Sequence, residues 1–188
     1  MSAAVPPPLP PRRGLALVGY RGTGKSTVGR LVAERLRRPF IDADSALEAC
    51  YGRSVRSLFE ELGEPAFRDR EAALLAELTA VPDRVIATGG GVVLRAENRA
   101  ALKQFGLVVW LTADPQVLAS RLSRNTSALH ARPALTAAGT IAEIAEVLST
   151  RLPWYREVAD VEVATDGRTL AEVVDAVIAA LPWERGMP

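Results

Sequence analysis

The sequence predicts an α/β domain, a parallel sheet covered by helices on both faces. Three observations lead there. Five short apolar runs alternate with segments of helical periodicity. The first run ends in a glycine-rich loop, and a helical pattern follows at once. Residues able to do chemistry cluster after the first, second and third runs, at the carboxyl ends of strands, where sheets of this kind bind ligands.

The elements follow in order. Residues 14–19, GLALVG, form an apolar run closed by glycine and read as a buried strand. Residues 25–38 set Val28, Leu31, Val32 and Leu36 at helical spacing. Residues 39–44, PFIDAD, make a second strand that ends in carboxylates. SALEACYG (45–52) and SVRSLFEELG (54–63) read as short helices, each closed by glycine. Residues 64–80 form a longer helix, and 84–91, RVIATGGG, a third strand running into three glycines. A helix over 96–105 leads to a fourth strand over 107–113, and Asp114-Pro115 opens the next helix. Residues 125–140 lack a regular apolar period and read as a loop. Residues 141–159 are helical with a break near Pro153, 160–165 alternate as a fifth strand, and 169–182 form the last helix.

The 188 residues suit one domain, with a core over 14–183 and short tails at 1–13 and 184–188. The first tail carries five prolines and little else apolar, the composition of an extended, disordered segment. Net charge is +1, from 23 basic and 22 acidic residues, which argues against a general nucleic-acid binder. No apolar run approaches the roughly 18 residues that span a membrane. The lone cysteine, Cys50, permits no internal disulfide, which fits a reducing compartment; in a short helix it reads as a small buried hydrophobe. A cytoplasmic monomer acting on small molecules is the expectation.

GYRGTGKSTVGR, residues 19–30, contains Gly19-x-x-x-x-Gly24-Lys25-Ser26 between a strand and a helix. Glycines let the backbone turn tightly and aim N–H groups of Gly22, Thr23, Gly24, Lys25, Ser26 and Thr27 at phosphate oxygens. The helix beginning near Lys25 presents its positive dipole end to the same oxygens. In such loops the lysine reaches the β- and γ-phosphates and the hydroxyl after it ligates Mg²⁺, here Lys25 and Ser26. The chain therefore reads as a nucleoside-triphosphate binder with a three-layer P-loop fold. It lacks the Asn-Lys-x-Asp run of guanine-specific proteins, its asparagines being Asn98 and Asn125. Its length favours a small-molecule kinase.

GYRGTGKSTVGR, FIDADSALE, GEPAFRDRE, TGGGVV, RPAL and LPWYREVAD occur in this order and at a spacing that resembles the shikimate kinase family. The likeness spans about residues 14–181. It implies a five-stranded parallel sheet, a mobile lid at about 121–140, and ATP-dependent phosphorylation of the 3-hydroxyl of shikimate with Mg²⁺. It also implies roles. Asp44 contacts the substrate hydroxyls and can take the proton of the one attacked. Asp42 holds Mg²⁺ opposite Ser26. Arg68 and Arg156 pair with the substrate carboxylate, for which a planar guanidinium is suited. Glu71 helps hold the site, Gly90 and Gly91 touch the substrate, and Arg132 in the lid meets the transferring phosphate.

Plainer roles compete. Asp44 at a strand end also suits a cap for the helix over 45–51. Arg68 and Glu71 also suit a surface ion pair worth little. Trp110 reads as core, and Trp154 and Tyr155 suit packing as well as binding. The lid region, SRNTSALHARPAL, is longer than the family pattern and has Ala134 where leucine is usual, so neither Arg121 nor Arg124 is assigned to adenine. His130 sits in that loop, and phosphoryl transfer needs no histidine base. Two other functions stay open: a kinase for another hydroxy acid such as gluconate, and a catalytically silent nucleotide-binding regulator.

Overall fold

A computed structural model of the chain describes residues 14–124 and 141–182. Five strands pair in parallel in the order β2-β3-β1-β4-β5: β1 Gly14–Val18, β2 Phe40–Asp42, β3 Val85–Ala87, β4 Gly106–Thr112 and β5 Val161–Ala164. Parallel neighbours require crossover connections, and helices supply them. These are α1 Lys25–Leu36, α2 Ala43–Tyr51, α3 Val55–Ala80, α4 Ala96–Phe105, α5 Pro115–Arg124, α6 Ile141–Val158 and α7 Leu170–Ala179.

The central strand β1 is buried along its whole length, and its side chains divide by alternation. Leu15 and Leu17 join Val28 and Val32 of α1 and Val173 and Val177 of α7 on one face. Ala16 and Val18 join Leu75 of α3, Leu102 of α4 and Tyr155 and Val158 of α6 on the other. The continuous apolar reading of residues 14–19 follows from this burial on both sides.

Four of the five strands are shorter than the sequence suggests, because flanking residues belong to turns or, after β2, to α2; β4 keeps seven residues, one position earlier. Helix α3 is broken at Gly63 (φ 72°, ψ 165°), with Pro65 opening the second part. Two helices closed by a glycine are thus present as expected. The break expected near Pro153 is absent: α6 runs on through the proline. Proline removes one backbone hydrogen bond, while Ile144, Tyr155 and Val158 anchor the helix in the core on both sides of it. Cys50 is exposed rather than buried; Leu47 takes the core position of that helix. The tails, the lid loop, His130 and Arg132 lie outside the described residues.

The sheet is closest-packed at its foot. Gly14 and Gly106 are register partners, and a Cβ on Gly106 would lie 1.9 Å from the Gly14 carbonyl oxygen. Backbone cannot yield as a side chain does, so Gly106→Ala is expected to lower the unfolding free energy in urea by at least about 3 kcal/mol. Gly52→Ala, at a left-handed cap with open space around it, should cost about 1 kcal/mol. Equal losses in the two variants would show that the strand contact matters no more than the turn.

Candidate active site

The loop after β1 has the shape of a phosphate cradle. Gly22 and Gly24 stand at φ 84° and 90°, and Gly24 is the residue at which α1 begins. Side chains cannot take these angles cheaply, so glycine is required. Lys25 is buried to 8% exposure in the first turn of α1, and its Nζ donates to the carbonyls of Gly19 and Tyr20, each at 2.8 Å. Those bonds hold an ammonium inside the loop. Thr23 Oγ1 donates to the Tyr20 carbonyl at 2.8 Å and closes the turn.

Register brings the second group beside it. Asp42, the last residue of β2, is level with Ala87 of β3. Ser26 Oγ donates to Asp42 Oδ2, tying the start of α1 to the end of β2. Asp42 Oδ1 accepts from the Ser45 backbone N–H at 3.1 Å, so Asp42 is the N-cap of α2. The capping aspartate is thus Asp42, and Asp44 lies inside the first turn of α2. The cap role weighed for Asp44 is therefore filled by Asp42.

Arg68 comes from the second part of α3 and is also 8% exposed. Its Nη1 donates to Glu71 Oε2 at 2.7 Å, and Glu71 is buried to 7% exposure. This is no surface pair. Nε and Nη2 reach Glu64 Oε1 at 3.3 and 3.2 Å, and Glu64 is half in solvent. The guanidinium lies flat against Gly91: a Cβ there would be 2.5 Å from Nη1 and Nη2. Gly91 is therefore required for space.

Gly90 connects three parts. A Cβ on it would lie 3.4 Å from Arg21 N and the Gly19 carbonyl, so the β3 loop packs directly on the phosphate loop. Its carbonyl accepts from the buried Tyr155 hydroxyl at 2.6 Å and from Arg151 Nη1 at 3.1 Å. Arg156 is not brought to this cluster. It is exposed and lines a separate cavity with Trp110 and Glu162. The sequence reading passed over Arg151. The signal was present: Arg151 and Tyr155 are four residues apart, on one face of α6, whereas Arg156 is turned about 100° from Tyr155. Arg121, left unassigned, ties α5 to the edge of the loop: Nη1 reaches the Gly22 carbonyl at 3.3 Å and Thr165 Oγ1 at 2.8 Å.

The phosphate cradle after β1, Asp42 at the end of β2 with Asp44 just after it, and Arg68 and Arg151 beside the loop after β3 thus gather at the carboxyl edge of the sheet. A family model described as shikimate kinase matches residues 21–182. The chain belongs to the shikimate kinase family. It is 45% identical over 155 residues to a shikimate kinase of Symbiobacterium thermophilum, covering 82% of this chain and 88% of that one. It is 46% identical over 156 residues to a shikimate kinase of Pseudomonas syringae pv. syringae, covering 83% and 88%. A shikimate kinase from Acinetobacter baumannii, solved in complex with shikimate, superposes with a TM-score of 0.84 at 36% identity, covering 94% of this chain and 96% of that one.

Burial separates the two carboxylates on Arg68. Glu71→Ala leaves a nearly buried guanidinium short of its best partner and should cost about 3 kcal/mol in urea unfolding. Glu64→Ala should cost less than about 1 kcal/mol. The reverse order would show that the exposed partner fixes Arg68.

Proposed function

We propose that the chain transfers the γ-phosphate of ATP to the 3-hydroxyl of shikimate, giving shikimate 3-phosphate and ADP. One observation carries this: the Gly90–Gly91 loop, flanked by Arg68 and Arg151, packs directly on the loop that holds Lys25. Donor and acceptor are held side by side, and such proximity supplies much of the catalysis in phosphoryl transfer.

Lys25 and the N–H groups at the start of α1 hold the triphosphate and offset charge as it develops. Arg68 and Arg151 hold the substrate carboxylate, with Arg151 in the place expected of Arg156. Arg68 must exchange one partner to do so, and the long, exposed contact to Glu64 is the one that gives way. Glu71 stays and keeps the guanidinium aimed at Gly91. Asp44 orients the attacking hydroxyl and takes its proton. Arg132 meets the transferring phosphate. Adenine is the preferred base on this reading.

Mg²⁺ fits the oxygens present. Ser26 and Asp42 supply a hydroxyl and a carboxylate in contact with each other. Among the described residues no group of three or more His, Cys, Asp or Glu forms a metal cage. One or two hard oxygen ligands, completed by phosphate, is the usual setting for Mg²⁺. Held by Ser26 and Asp42, Mg²⁺ would supply positive charge to offset that of the phosphates. Family membership favours shikimate over gluconate. The presence of Lys25, Ser26, Asp42 and Asp44 favours an active enzyme over a silent regulator. Near-balanced charge and a single cysteine support a cytoplasmic enzyme of small molecules. We read it as a monomer.

The direct test is ADP release from MgATP with shikimate, quinate and gluconate supplied separately. Shikimate-dependent turnover is expected, and preference for gluconate would replace the substrate. Lys25→Ala should lower kcat at least about 100-fold with a native circular dichroism spectrum. Arg151→Ala should raise the KM for shikimate about tenfold and leave the KM for MgATP within about twofold. Arg156→Ala should change the shikimate KM far less, and the opposite ranking would restore Arg156 to the acceptor site.

A further inference from the structure

A cavity of about 330 Å³ lies between the sheet and helices α5 and α6, with Tyr20 and Thr23 of the phosphate loop in one wall. None of Asp42, Asp44, Arg68, Gly90, Gly91 or Arg151 lines it, so it is not the acceptor site. Leu118 of α5, Leu148 and Leu152 of α6 and Trp110 of β4 make it apolar. Its size and lining suit a small organic ligand.

Two charged residues also line it, Arg156 and Glu162. Among the described residues neither has a hydrogen-bond or ion-pair partner. Glu162 is the register partner of Trp110, so both side chains stand on one face of the sheet. That face carries Tyr155 of α6, stacked on the Trp110 ring. Arg156 shares its helical stripe with Leu148, Ser149 and Leu152. The cavity therefore offers a cation from the helix, an anion from the strand and apolar side chains beyond them.

We propose that this cavity binds a zwitterion bearing a large apolar group, the chemistry of an apolar α-amino acid, and that its occupant tunes the phosphate loop. The carboxylate pairs with Arg156, the ammonium with Glu162, and the apolar group enters among Leu118, Leu148 and Leu152. A neutral apolar molecule leaves both charges unmatched. A plain carboxylate satisfies Arg156 but meets the charge of Glu162. Both charged residues are solvent-exposed, so each contributes modestly and affinity should be weak.

Coupling follows from the shared wall. The Tyr20 carbonyl accepts from Thr23 Oγ1 and from Lys25 Nζ, each at 2.8 Å. An occupant pressing on Tyr20 and Thr23 acts on the residues that place the Lys25 ammonium. By linkage, MgATP must then change the affinity of the occupant by the same factor. This coupled part rests on Lys25 as the phosphate ligand; binding itself does not.

The test is calorimetric titration of the full chain with L-phenylalanine, 3-phenylpropionate, phenethylamine and glycine. The last three lack the ammonium, the carboxylate and the apolar group respectively. L-phenylalanine should bind at least about tenfold more tightly than each of them. Arg156→Gln and Glu162→Gln should each weaken it at least about threefold. Leu148→Trp, which fills the cavity, should abolish binding. Saturating MgATP should shift the Kd at least about twofold in either direction. No saturation by about 10 mM, equal binding of 3-phenylpropionate or glycine, or unchanged affinity in both charge variants overturns the site. An unchanged Kd with MgATP overturns the coupling.

Discussion

Parallel register is the constraint from which the site is built. Leu17 of β1 is level with Ala87 of β3 and Val109 of β4, and Asp42 of β2 is level with Ala87. Three strands therefore stop at one height, and the loops after β1, β2 and β3 leave from neighbouring points. Hydrogen bonds then lock that edge. Thr88 Oγ1 donates to the Leu17 carbonyl at 3.0 Å, and Ser26 Oγ donates to Asp42. A slip of one residue would turn the strand faces over and part the carboxylates from the phosphate loop. The core thus fixes the chemistry: the side chains that set register, Leu15 to Val18, are fully buried.

Once the loops are adjacent, electrostatics decides how a guanidinium can be kept there. Burying Arg68 alone would cost several kcal/mol. Glu71, equally buried, offsets that cost through a 2.7 Å bond. Glu64 adds little, since its carboxylate is half solvated. The two glutamates therefore do different work. One makes the arginine tolerable in the folded protein, and the other meets it from the solvent side. Gly91 is the steric half of the same arrangement, because any side chain there would occupy the guanidinium's place.

Most of the fold was legible because local signals agreed with the tertiary structure. The alternation of apolar runs and helical periods gave all five strands, and Gly63 marked its break. The phosphate loop was legible because its glycines have one geometric purpose. What the structure revises has a common cause. The cap role weighed for Asp44, the grouping of Arg156 with Arg68 and a break at Pro153 each depended on the exact phase or start of a helix. A shift of one or two residues in the start of α2 exchanges the roles of Asp42 and Asp44. One residue of α6 separates Tyr155, which faces Gly90, from Arg156, which faces the other cavity. Sequence periodicity locates a helix more firmly than it fixes such phases. Close approach was equally hidden: that Gly91 lies under Arg68 depends on how α3 packs against the sheet.

Helix α6 joins these threads. Arg151 and Tyr155 on one of its faces meet at a single carbonyl, that of Gly90, and so hold the loop after β3 from behind. Leu148, Leu152 and Arg156 on the adjacent face line the cavity against the phosphate loop. The Trp110 ring, stacked on Tyr155 at 5.4 Å and 8°, is wedged between the two. A close-packed interior transmits displacement rather than absorbing it. A small rotation of α6 would therefore move the Gly90 contacts and the cavity wall together. The loop after β3 and the phosphate loop also touch each other at Gly90 and Gly19. The loop after β3 and the phosphate loop are thus joined both directly and through one helix and one stacked ring pair.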